Sequence, residues 1–265
     1  VLEGTRLYLY RYWRYEQQVA QRLNQLAQQR PLLDLALAQQ AVQILLPPSL
    51  NPEQRLAAVL PLLSGVTLIT GGPGTGKTTT VLRLLALLLT LQPQLRIVLA
   101  APTGKAVARL AEALQTQQAQ LPPELAARLP LQHCVTVHRL LGINPQDTQP
   151  RYQAHRPLPW DVVLVDEASM LDLALTAKLC QALAPASRLI LLGDPEQLAS
   201  VEAGNILGDL TQHGVRYDAE RAAQLAQILG TPVTLSLDPS LGLSAASVAL
   251  HQSYRFDPQR GIGAL

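Results

Sequence analysis

The stretch Gly71-Gly72-Pro73-Gly74-Thr75-Gly76-Lys77-Thr78 has the spacing of a loop that wraps a phosphate chain. Its glycines let backbone N–H groups converge on an anion in conformations that other residues avoid. Lys77 is placed to reach the β- and γ-phosphates of a nucleoside triphosphate, and the Thr78 hydroxyl to hold Mg²⁺. Thr79 follows in the same helical turn and belongs to the expected phosphate cradle. Two acidic residues, Asp166-Glu167, stand at the end of an apolar run, where ligands bind in open α/β sheets. Asp166 suits the metal, directly or through water. Glu167 suits the polarising of an attacking water, which marks a hydrolase more than a kinase. A third run ends in Gly193-Asp194-Pro195-Glu196-Gln197, and the Gln197 amide can touch a γ-phosphate and report its loss. Arg255, within Gln252-Ser253-Tyr254-Arg255-Phe256, offers a cation for transition-state charge, although a loop arginine is commonly a surface residue.

A second set of residues suits a phosphodiester backbone. Pro102-Thr103-Gly104-Lys105 puts a hydroxyl, a flexible backbone and a cation where a helix begins. The stretch Val135 to Gly142 adds Thr136, His138 and Arg139. Each alone reads as a helix cap or a surface base. Together, in this order, they do not read as chance.

These residues need a scaffold. Strands are expected at 66–70, 95–101, 162–166 and 188–192, with a weaker one at 232–237, and helices follow the first four. Such alternation implies an α/β fold, a parallel sheet covered by helices on both faces. Residues 6 to 10 alternate as a short strand, and helical periodicity runs from Tyr15 to Leu45, divided by Pro31. Pro47-Pro48-Ser49 breaks the chain there. A mostly helical N-terminal segment, 1–48, is therefore expected ahead of a larger domain, 49–265. Asn51 caps the first helix of that domain and Pro52 opens it. The Gln- and Pro-rich stretches 115–131 and 144–159 are expected at the surface. Aromatics and arginines interleave from Arg6 to Tyr15. That pattern fits a base-stacking platform, or a half-buried segment packing on a small core or a partner.

Composition narrows the class. The chain has 265 residues, 48% of them hydrophobic and 15% charged, so it can bury a sizeable core. A net charge of +2 gives no global field for nucleic acid, so any such contact must be local. Cys134 and Cys180 have no metal-ligand spacing and read as buried thiols, which fits a cytoplasmic setting. No run is long and apolar enough to span a bilayer, so no membrane partner is expected. The chain starts at Val1 and stops at Leu265 without a closing signal, as a fragment would.

The whole series resembles the superfamily 1 helicases. Gln54 looks like that family's adenine-reading glutamine, and 71–78, 101–105, 136–139, 166–167, 193–197 and 253–255 look like its successive motifs. The wording GGPGTGKTTT, APTGKA, LVDEASM, LGDPEQLASVEAG and SYRF is most similar to the RecD branch, the alpha subunits of exodeoxyribonuclease V. The resemblance implies a RecA-like motor domain driven by ATP and Mg²⁺, moving 5′ to 3′ on single-stranded DNA. It further implies RecB- and RecC-like partner subunits and action on duplex ends in break repair and recombination. Carried over, the ATP contacts are Gln54 and residues 71–79, including Gly71, Gly72, Pro73, Gly74, Thr75, Gly76, Lys77, Thr78 and Thr79. Thr78 and Asp166 hold the metal, Glu167 the water, Gln197 the γ-phosphate, and Arg255 acts as arginine finger. Thr103, Lys105, Thr136 and His138 are the DNA contacts. The second motor domain of that family is expected to lie beyond this chain, as is the nuclease. Three alternatives stay open: a free-standing RecD-like helicase, a small-molecule kinase, and a nucleotide-binding subunit that hydrolyses nothing.

Overall fold

The computed structural model describes residues 1–3, 6–7, 9–144, 146, 149–197, 206–211, 217–233 and 242–254. The chain opens with a short antiparallel pair, Leu2–Glu3 (β1) and Arg6–Leu7 (β2). The strand expected at 6–10 ends early, because Tyr10 already begins the helix Tyr10–Gln28 (α1). Pro31 lies between α1 and Leu35–Leu45 (α2), as the periodicity requires. The helix Pro52–Leu63 (α3) starts with a capping box. The Asn51 side chain accepts from the Gln54 N–H, and Gln54 Oε1 accepts from the Asn51 N–H.

Apolar runs then make strands buried on both faces: Val66–Gly71 (β3), Ile97–Ala101 (β4), Val162–Val165 (β6) and Arg188–Gly193 (β7). Two strands escape the periodicity reading, Cys134–Thr136 (β5) and Ser247–Leu250 (β8). Both are too short to show a period by themselves, and both sit at an edge of the sheet. The six strands pair in parallel in the order β5-β4-β6-β7-β3-β8. Of the weak strand expected at 232–237, residues 232 and 233 are outside any strand, and the rest lies outside the described residues.

The remaining helices are Lys77–Leu91 (α4), Gly104–Gln117 (α5), Pro123–Ala126 (α6), Val137–Leu141 (α7), Leu173–Ala182 (α8), Ile206–Thr211 (α9) and Ala219–Leu229 (α10). Alternate residues of each strand feed two separate cores. Ile69, Leu99, Leu164 and Ile190 pack with α2, α3, α4 and α10. Leu68, Val98, Val163 and Leu189 pack with α1, α7 and α8 on the other face. The N-terminal helices thus join both cores. Val19, Leu23 and Leu26 hold α1 to the second face, each burial stabilising by about 2 kcal/mol. Helix α4 is buried on nearly every side, from Thr80 to Leu89, which explains its unbroken leucines. The Gln-rich stretch 115–131 is not wholly superficial: Leu121 and Leu129 are buried, and the Gln120 side chain accepts from the buried Arg83. Cys134 and Cys180 are free thiols, and burial pushes the Cys180 thiol up to about 12.

Candidate active site

Strand β3 delivers Gly71 to the C-terminal edge of the sheet, and α4 starts six residues later. Gly76, the cap of α4, has φ +82°, which an L-residue adopts only at a cost. The N-terminus of α4 therefore points its free N–H groups into the loop, where an anion would sit. Lys77 Nζ donates to the carbonyls of Gly71 (2.6 Å) and Gly72 (3.1 Å), folding its cation back over the loop. Thr75 Oγ1 donates to Gly72 O at 2.9 Å and closes the turn.

Two distant segments brace the loop. Gln54 is buried, and its Nε2 donates to Thr75 O at 3.1 Å. A Cβ added at Gly76 would run into that same nitrogen. The Gln54 amide is thus engaged on both sides, by the capping box and by the loop. From the other side, β8 leads into residues 251–254. Tyr254 N–H donates to Gly74 O (2.8 Å), and Ser253 Oγ donates to Pro73 O (3.3 Å). Glu53 anchors this return by accepting from the His251 backbone N–H (2.7 Å) and facing its ring Nδ1 at 2.8 Å. Arg255 lies outside the described residues.

The acidic pair ends β6. Burial pushes the Asp166 carboxyl up to about 6; the neighbouring Glu167 charge adds to this, while the Glu167 N–H and Lys77 oppose it. Glu167 has φ 53°, the only positive φ on a non-glycine residue among those described. Its Oε2 is buried without a hydrogen-bond partner among the described residues. Backbone strain and an orphaned carboxylate oxygen at one residue mark a group positioned for something other than folding. On β7, buried Asp194 shapes the next loop. Its Oδ1 accepts from the Glu196 N–H, and its Oδ2 accepts from the Gln197 amide at 3.2 Å.

Lys77, Glu167 and Gln197 line one cleft of about 660 Å³ together with Pro73, Gly74, Arg109 and Tyr254. Asp166 does not line it. Arg109 and Tyr254 are additions to the expected set. Tyr254 was visible beside Arg255, and Arg109 stands four residues after Lys105, so helical spacing from that motif could have found it. The expected metal ligands fit Mg²⁺. Among the described residues the Thr78 hydroxyl makes no hydrogen bond, and Asp166 is a largely desolvated carboxylate whose burial the Lys77 charge offsets only in part. No cluster of three His, Cys, Asp or Glu side chains occurs among the described residues.

The expected polynucleotide contacts lie at the ends of neighbouring strands, since Ala101 of β4 pairs with Thr136 of β5. Thr103 caps α5 by accepting from the Ala106 N–H (3.2 Å), and Thr136 caps α7 by accepting from the Arg139 N–H (3.2 Å). Each hydroxyl accepts within its cap and keeps its own proton as a donor. Lys105, His138 and Arg139 are exposed. Among the described residues no helix is long and apolar enough to cross a membrane.

The family model described as an AAA domain matches residues 54–203. The chain is 50% identical over 218 residues to the RecBCD enzyme subunit RecD of Mycolicibacterium smegmatis, covering 80% of this chain and 38% of that protein. It is 42% identical over 271 residues to the RecBCD enzyme subunit RecD of Haemophilus influenzae, covering 98% of this chain and 42% of that protein. To the ATP-dependent RecD2 DNA helicase of Deinococcus radiodurans it is 40% identical over 165 residues, 62% of this chain and 20% of that protein. The chain spans about two-fifths of the length of the RecD relatives it matches. The chain belongs to the AAA domain family, and the RecD resemblance carried by its motifs is borne out by these relatives.

Proposed function

We propose that this chain is the ATP-hydrolysing part of a 5′-to-3′ DNA helicase subunit of an exodeoxyribonuclease V (RecBCD-type) complex, acting in the cytoplasm in double-strand-break repair and recombination. The observation that carries the hydrolytic reading is Glu167. This residue, with its strained backbone and a buried, unpartnered carboxylate oxygen, lines a cleft with Lys77 and Gln197. In this reading residues 71–79 cradle the phosphates, and Gln54, the adenine-reading glutamine of the resemblance, braces the loop at Thr75 O. Thr78 and Asp166 would hold Mg²⁺, which would supply charge neutralisation for the phosphates. Glu167 accepts the proton of the attacking water, Gln197 follows the γ-phosphate, and Arg255 is the arginine finger. Tyr254 is 53% exposed within the cleft, so its ring face is open to a bound group. Thr103, Lys105, Thr136 and His138 bind single-stranded DNA through its phosphates, at duplex ends opened by the complex. Residues 49–265 form the first motor domain, with 1–48 as an accessory segment, and RecB- and RecC-like subunits are the protein partners.

Similarity to the Deinococcus radiodurans RecD2 helicase supports a second reading, a motor without those partners. Co-purification with RecB- and RecC-like chains separates the two. The central test is ATP turnover of the full-length protein with and without single-stranded DNA. Turnover stimulated by DNA and abolished by Lys77→Ala is expected. Turnover indifferent to DNA of any sequence would sink the motor reading, and none at all would favour a non-hydrolysing subunit.

A further inference from the structure

Helix α5 serves two places at once. It begins at Gly104, directly after the Thr103 cap, and exposes Lys105 in its first turn. One turn later Arg109 lines the cleft that holds Lys77, Glu167 and Gln197. Residues four apart lie on one helix face, so Lys105 and Arg109 are stacked neighbours. Arg109 is exposed, and among the described residues it makes no hydrogen bond or ion pair. Lys77, by contrast, is tied to two loop carbonyls. The fold does not need the Arg109 guanidinium, because α5 is held to the core by Leu110 and Leu114. A planar fork of donors is suited to phosphate oxygens, and this one faces a cleft built around a phosphate loop.

We propose that Arg109 binds the phosphates of the bound nucleotide, and that α5 thereby couples the nucleotide to the Thr103–Lys105 edge. This rests on the cleft being an ATP site and the edge a DNA contact. A helix moves as a rigid unit over one turn, about 6 Å, so a shift of Lys105 on a DNA phosphate is shared by Arg109.

The test uses the purified full-length protein, a fluorescent ATP analogue and an unstructured single strand. Arg109→Ala should weaken nucleotide binding about tenfold, the equivalent of about 1.4 kcal/mol, and shrink the DNA stimulation of hydrolysis. Its single-strand affinity without nucleotide, and its unfolding midpoint, should match the parent. Arg109→Lys, which keeps the charge, should recover part of the nucleotide affinity. Lys77→Ala and Lys105→Ala serve as references. Parental nucleotide affinity in Arg109→Ala, with Lys77→Ala impaired, overturns the proposal but leaves the ATP site standing. Parental affinity in both variants removes the ATP site itself. Weakened single-strand binding without nucleotide, as expected of Lys105→Ala, reassigns Arg109 to DNA and overturns the proposal. Weakened nucleotide binding with undiminished DNA stimulation overturns the coupling.

Discussion

Replacing Asp166 by Asn should stabilise the protein while disabling it. Burial raises the Asp166 carboxyl from its ordinary 3.8 to about 6, so the folded state binds this proton more tightly than the unfolded chain does. The sign follows from linkage. Below pH 3.8 the group is protonated in both states and contributes nothing. Between 3.8 and about 6 the unfolded chain loses the proton first, and folded stability falls. Above 6 the full cost of a buried charge is present. Each pH unit is worth about 1.4 kcal/mol, so the cost approaches about 3 kcal/mol. Asp166 keeps some contact with solvent, which makes this a ceiling. An Asn amide oxygen can still accept from the Glu167 N–H and carries no charge. Urea unfolding in EDTA should therefore show Asp166→Asn more stable by about 1–3 kcal/mol at pH 8 and equal to the parent at about pH 3, well below the unfolded value. Mg²⁺ with nucleotide should narrow the gap at pH 8 by stabilising the parent alone. A gain of equal size at both pH values, or none at pH 8, would refute the reasoning, because the effect would then not come from a desolvated charge.

Glu167→Gln should bind ATP at the parental level and hydrolyse it about a thousandfold more slowly, since an amide cannot take the water's proton; single-turnover kinetics at normal rate would remove Glu167 from that role. Gly76→Ala should cost about 2 kcal/mol, from the left-handed backbone and from the collision with the Gln54 amide. Adding Gln54→Ala should relieve only the collision. Urea titrations of the single and double variants would expose an error if Gly76→Ala proved neutral.

Much of this protein was legible in its sequence, wherever the cause is local. Apolar runs such as Val162–Val165 become strands because only a position buried on both faces tolerates them. Asn51 and Pro52 announce the start of α3 because a cap satisfies N–H groups three residues away. The spacing from Gly71 to Thr78 carries its chemistry in its own backbone. Tertiary structure decided the rest. β5 and β8 are strands because neighbours supply their hydrogen bonds, and three or four residues show no period without them. The family resemblance implies a base-contacting role for Gln54, and only folding reveals that its amide lies against Thr75, twenty-one residues on. The return of residues 251–254 to Pro73 and Gly74 crosses about 180 residues and depends on β8 docking beside β3. The left-handed Glu167 backbone, between the strand Val162–Val165 and the helical turn Ala168–Met170, shows only in the folded chain. Arg109 lines the cleft beside Lys77 for a similar reason. Local pattern places it on a helix face, but which cleft that face meets is settled by where the sheet sets α5, and strand order is a long-range choice that no neighbouring residues encode.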